Sequence, residues 1–178
     1  LGRTRDDAAG EAFDKIARVL GLGYPGGPAI DRAAKHGDPH SVEFKRVMLE
    51  KGSLDFSFSG LKTGVLNYLN TQKLKGNEIE AADIAAAFQL SVVDVLVEKA
   101  MAAAKKIKAQ KLVLAGGVAA NTLLRAELAA ACQNRGIELY CPSPVLCTDN
   151  AAMVACAAYY RYRAGHVSDL SLDAYASM

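Results

Sequence analysis

Leu112-Val113-Leu114-Ala115-Gly116-Gly117-Val118-Ala119-Ala120-Asn121 is the stretch that decides the fold. Lys111 to Ala115 is short, aliphatic and partly β-branched, and a glycine pair ends it; it reads as a buried strand. A helix is predicted at once after it. Leu124, Leu128, Ala131 and Cys132 recur at i, i+4, i+7 and i+8, one face of a 3.6-residue period. Strand, Gly-Gly and helix in succession make a turn where a ligand can approach backbone, because glycine has no Cβ to block it. The N–H groups that open the helix then face whatever is bound. Asn121 falls in the first helical turn, where its amide can hydrogen-bond a base edge or a hydroxyl. The alternative is an ordinary strand-to-helix turn, and the flanking sequence bears on the choice.

With 178 residues the chain makes one domain, or two lobes at most. Its 51% hydrophobic and 22% charged residues exclude a disordered chain. A net charge of +2 does not by itself mark a nucleic-acid binder. No apolar run reaches membrane-spanning length, so no membrane association is expected. Cys132, Cys141, Cys147 and Cys156 show no C-x-x-C spacing, which points to reduced, mostly buried thiols and a cytoplasmic protein. Cys141 and Cys147 bracket a loop and offer a metal pair as the less favoured reading. Leu1-Gly2-Arg3-Thr4 lacks an initiator Met and runs straight into patterned sequence, which suggests part of a longer protein.

Towards the N-terminus, Asp6 is placed to cap a helix running to about Leu20, with Ala12, Phe13, Ile16, Ala17 and Leu20 inward and Gly21 as its stop. Asp7, Glu11 and Asp14 load it with carboxylate; helix-dipole logic suits Asp7 but not Asp14, two turns in. Gly21 to Pro28 is a turn-rich loop, nearly free of side chains around Gly26-Gly27. A second helix, about Ala29 to His36, brings Asp31 up behind it. Val42, Phe44 and Val47, then Leu54, Phe56 and Phe58, alternate with polar residues around Gly52-Ser53, which predicts a β-hairpin over about 40–60. Ser59 starts another helix, with Leu61, Val65 and Leu69 inward; Lys62 near its start is a ligand contact or a solvated lysine. Asp83 opens the longest helix, to about Lys108, striped by Ile84, Phe88, Val92 and Leu96. Ile137 to Cys141 is a second short strand, broken by Pro142. Thr148 is placed to cap a last helix, Asp149 to Ala164, with Gly165 beyond it. Asp149 is then either a carboxylate stabilised by a helix start or a metal or phosphate-linked ligand, on a loop beyond a strand end.

The polar outliers Asp14, Gly26-Gly27, Asp31, Asn121 and Asp149 suggest a nucleoside pocket: carboxylates grip ribose hydroxyls, an amide reads adenine, and glycines let a flat ring lie on backbone. Five motifs turn this into a resemblance. Residues 6–15 (DDAAGEAFDK), 24–28 (YPGGP), 55–63 (DFSFSGLKT), 115–121 (AGGVAAN) and 147–150 (CTDN), in this order over nearly the whole chain, resemble the bacterial tRNA threonylcarbamoyladenosine transferase family, TsaD, once labelled O-sialoglycoprotein endopeptidases.

The resemblance implies an α/β, helix-rich chain: the C-terminal lobe of a two-lobed actin/sugar-kinase/heat-shock-protein (ASKHA) fold, without the N-terminal lobe. It implies transfer of threonylcarbamoyl from threonylcarbamoyl-AMP to the tRNA adenosine 3′ of the anticodon, with this chain alone inactive. Asp14, Gly27, Asp31 and Asn121 would hold the adenylate or an ATP-like nucleotide, and Asp149 would be one ligand of a divalent iron or zinc acting as Lewis acid and template. The implied partners are tRNA, a TsaB-like paralogue and a TsaE-like ATPase. The family's two histidine metal ligands and Ser-Gly-Gly loop lie in the other lobe; His36, His40 and His166 are not assigned to the metal. Arg3 departs from the family, which usually has Glu in that Gly-x-Thr context. The family places further strands before this lobe's first residues, so the isolated chain is expected to leave a ladder edge open and to self-associate or be marginally stable as a monomer. A nucleotide-binding or regulatory lobe without transfer chemistry is the competing reading. A peptidase has no support, since no Ser/His/Asp or H-E-x-x-H constellation appears.

Overall fold

The computed structural model describes residues 1–46, 50 and 52–174, so that Val47 of the expected hairpin lies outside the described residues. The chain divides into two units, Leu1–Cys147 and Thr148–Met178. The first holds α1 (Ala9–Val19), α2 (Gly26–Ala34), α3 (Ser59–Leu74), α4 (Ala81–Ile107), β1 (Lys111–Val113), a 3-10 turn (Gly117–Ala120), α5 (Thr122–Gln133), β2 (Glu138–Tyr140) and a second 3-10 turn (Pro144–Leu146). The second holds α6 (Ala151–Arg163).

Helix α4 is the spine of the first unit. Its N-terminal half supplies Ile84, Ala85, Ala87, Phe88, Val92 and Val95 to a core shared with Phe13 and Ile16 of α1, Ile30 of α2, and Leu61 and Val65 of α3. Its alanines let α2 lie close, and Phe13 meets Phe88 edge to face with ring centroids 5.3 Å apart. Burying Phe88 completely is worth about 2–3 kcal/mol by area. Further along, Met101 packs with Leu128 and Cys132 of α5 in a second cluster, flanked by Leu112 of β1 and Leu139 of β2.

β1 and β2 pair in parallel, with Leu112 opposite Leu139, and α5 makes the crossover. The expected strand to Ala115 is shorter because Leu114 N donates the last bond, to Tyr140 O (2.9 Å), and Pro142 follows with no N–H to give. The result is a helix-rich α/β unit with a two-strand parallel sheet. Among the described residues, no helix is long and apolar enough to cross a membrane.

Four local expectations are corrected. Asp6 does not cap α1, whose N-cap is Ala8 without a side-chain bond. Its carboxylate instead reaches the start of α3, accepting from Phe58 N (2.8 Å), Ser59 Oγ (2.8 Å) and Ser57 Oγ (2.5 Å). Gly26 and Gly27 are not in a loop but open α2, three residues ahead of the expected start. No ladder forms among the described residues of 41–60: Phe44, Leu54 and Phe58 are buried, and Phe56 bridges Thr4 in parallel. The alternation there reflects burial against helices. Finally, the cap of α6 is Asn150, whose Oδ1 accepts from Met153 N (3.0 Å), so Thr148 is no cap and Asp149 precedes the helix.

Candidate nucleoside-binding site

The site is built around the first half of α2. On one side Asp14, on α1, accepts a bond at Oδ1 from Gly26 N (2.7 Å). The carboxylate that helix-dipole logic could not place on α1 therefore sits at the start of a different helix, α2, where an orphan N–H needs an acceptor. Gly26 permits this approach: a Cβ there would stand 2.4 Å from Asp14 Cα.

On the other side Asp31, one turn beyond Gly27 on the same face of α2, accepts at Oδ1 from both Thr122 N (3.1 Å) and Thr122 Oγ1 (2.8 Å). Thr122 is the first residue of α5. Its neighbour Asn121 is the N-cap, with Oδ1 accepting from Leu124 N (2.9 Å) and Nδ2 donating to Gln89 Oε1 of α4 (2.8 Å). Asn121 thus stands before the helix, not in its first turn, and is 7% exposed. Gly116, at φ +91, turns the chain out of the β1 segment and into the 3-10 turn that delivers Asn121.

Asp14, Gly27, Asp31 and Asn121 are therefore linked through Gly26, α2 and Thr122 into one run of contacts. Each carboxylate gives one oxygen to the fold and keeps Oδ2 outside any hydrogen bond among the described residues. Asn121 keeps one of its two Nδ2 hydrogens. A Cβ on Gly27 would meet nothing within 4 Å, so the face of α2 between the carboxylates is open. That combination of acceptors, a donor and bare backbone suits a ribose and a flat base. Reading the sequence alone missed Thr122 and Gln89; the last was visible as a polar residue within an Ala/Phe/Leu run.

Asp149 is exposed and belongs to the second unit. Lys62 pairs with Asp7 (3.5 Å), which also pairs with Lys15 (2.8 Å). The hydrogen bond from Lys15 holds the Asp7 carboxyl below the ordinary carboxylate value. His36 and His40 stand four apart in sequence, but α2 ends at Ala34 and Gly37–Pro39 turn the chain, so no helix carries both. All four cysteines are free thiols; Cys132 and Cys147 are buried, and burial raises the Cys132 thiol. Among the described residues, no three or more His, Cys, Asp or Glu gather as a metal-binding group.

Residues 1–156 match the family described as TsaD: tRNA N6-adenosine threonylcarbamoyltransferase. A relative of that name from Desulfitobacterium hafniense (strain Y51) is 64% identical over 91% of this chain and 48% of its own length. Another, from Moorella thermoacetica, is 55% identical over 98% of this chain and 51% of its own. The chain thus spans about half the length of the curated relatives it matches. In fold, it resembles full-length HypF, solved in a phosphate- and nucleotide-bound form, with a TM-score of 0.57 and 23% identity over 80% of this chain and 18% of that one. With residues 1–156 matched, the chain belongs to the TsaD family.

Proposed function

We propose that the chain is the nucleotide-holding, C-terminal part of an ASKHA-type tRNA N6-adenosine threonylcarbamoyltransferase that works in the cytoplasm. The observation that carries this reading is the family match over residues 1–156. The contact run from Asp14 to Asn121 supports it. In the transfer, the N6 amine of the tRNA adenosine attacks the carbamoyl carbon of threonylcarbamoyl-AMP. A C–N bond forms, the bond from that carbon to the phosphate oxygen breaks, AMP leaves with the electron pair, and the amine gives up a proton.

The residues of this chain bind and orient. Asp14 and Asp31 each use one oxygen to hold a helix start, and their second oxygens accept ribose or ATP-like nucleotide hydroxyls. Gly27 lets the ring lie against α2, and the remaining Asn121 N–H donates to the base. The tRNA, a TsaB-like paralogue and a TsaE-like ATPase are the partners of this reading. A divalent iron or zinc, when bound, supplies Lewis-acid polarisation, with Asp149 as one ligand. Such an ion takes four to six donors, and Asp149 offers one carboxylate. The described residues do not make up that site by themselves.

Completing the chain provides the test. Residues 1–178 replace the matching part of the Desulfitobacterium hafniense relative, and the hybrid is assayed for threonylcarbamoyl transfer to tRNA. Transfer that drops at least tenfold in Asp31→Ala is expected. A folded hybrid that binds AMP but transfers nothing would favour the regulatory nucleotide-binding lobe.

A further inference from the structure

Gln89 is 6% exposed and sits on α4 within the alanine-rich stretch that packs against α2. A buried amide surrounded by Ala85, Ala86, Phe88 and Val92 in sequence needs a reason, because an unpaired polar group there is costly. Its partner is Asn121: Gln89 Oε1 accepts from Asn121 Nδ2 at 2.8 Å. Asn121 Oδ1 is occupied at the same time by Leu124 N. These two bonds remove the ambiguity of an amide that can otherwise turn over. The flipped state would set the Asn121 NH2 against the Leu124 N–H, donor to donor, and its oxygen against Gln89 Oε1, acceptor to acceptor.

We propose that Gln89 is a positioning residue of the nucleoside site, locking the Asn121 carboxamide in one orientation so that its second Nδ2 hydrogen is presented to the ligand. The inference rests on the reading that Asn121 contacts the nucleotide. Gln89 acts through Asn121 and touches neither reacting atom nor metal. Without the Oε1 acceptor, the Leu124 N–H alone holds the amide, so the carboxamide plane turns more widely about the Cβ–Cγ bond and the ligand must order it on binding.

The test combines two measurements on the full chain, with AMP as probe. Calorimetry gives the AMP affinity of wild type, Gln89→Met, Asn121→Asp and the double variant. Met matches Gln in length without an acceptor, and Asp keeps the helix cap without an N–H. Gln89→Met is expected to weaken AMP about tenfold, the scale of one buried hydrogen bond, while still melting cooperatively. In the Asn121→Asp background the same change is expected to cost nothing further, because the group Gln89 acts through is gone. In amide-resolved NMR, the Asn121 side-chain signal is expected to lose its hydrogen-exchange protection in Gln89→Met. Wild-type AMP binding that is unchanged in Gln89→Met, or equal losses in both backgrounds, would overturn the positioning role alone. A wild type that fails to bind AMP at all would overturn the nucleoside reading, and the inference with it.

Discussion

Gly26 and Gly27 are neighbours with opposite tolerances. A Cβ on Gly26 would stand 2.4 Å from Asp14 Cα and 2.7 Å from Phe13 O, both backbone atoms that cannot step aside. Gly26→Ala is therefore expected to cost about 2–3 kcal/mol in urea unfolding. Gly27→Ala meets open space in a helical turn and is expected to stabilise by about 0.5 kcal/mol while weakening AMP binding. The reverse order of stabilities would contradict this local geometry. Asp6 makes a pH-dependent contribution. Burial works to raise its pKa, but hydrogen bonds from Ser57, Phe58 and Ser59 overcome that and lower it from 3.8 to about 2. A carboxylate with a depressed folded-state pKa stabilises above its unfolded value and loses that contribution as pH falls through the folded one. Asp6→Asn is thus expected to lose about 1 kcal/mol at pH 7, allowing for the solvent screening of an exposed side chain, a difference that shrinks as pH falls below the unfolded value and disappears only below the folded one. Melting curves across that range would contradict the assignment if the difference persisted in acid.

Helix α4 shows which elements were legible in the sequence. Its stripe of Ile84, Phe88 and Val92 has helical period, and the helix ends with Lys108 as left-handed C-cap, as the long periodic run implied. Phe88→Ala removes the centre of the larger core and is expected to cost about 3–5 kcal/mol. α5 was readable for the same reason, and β1 and β2 as short apolar runs, but the burial expected of β1 is not met: Leu112 is half-buried, and Lys111 and Val113 are exposed. What periodicity could not show was the destination of polar side chains. Asp6 and Asp14 lie on or beside α1, yet each satisfies the start of another helix, a contact set by tertiary packing 12 or more residues away. The alternation of 41–60 failed similarly: Phe44 and Phe58 are buried by α-helices, and among the described residues no partner strand selects that spacing. The nucleoside candidates, Gly26 among them, were legible as residue types, whereas Thr122 and Gln89, which fix their geometry, were legible only once α2, α4 and α5 were packed.

At the scale of the molecule, the chain spans about half the length of the curated relatives it matches, and in the proposed reading it offers Asp149 as one metal ligand. One carboxylate cannot fill a transition-metal sphere, so this chain alone is expected to show no submicromolar zinc affinity by calorimetry. Tight zinc binding abolished in Asp149→Ala would overturn that. The nucleoside site makes the sharper demand, because four residues spread over more than 100 positions must answer to one ligand. The most direct measurement is titration of the 15N-labelled chain with AMP, following backbone amide shifts. The largest changes are expected at Gly27, Asp31, Asn121 and Thr122, saturating together with one dissociation constant. Changes confined to the second cluster around Met101, Leu128 and Cys132, or no changes at millimolar AMP, would contradict the site.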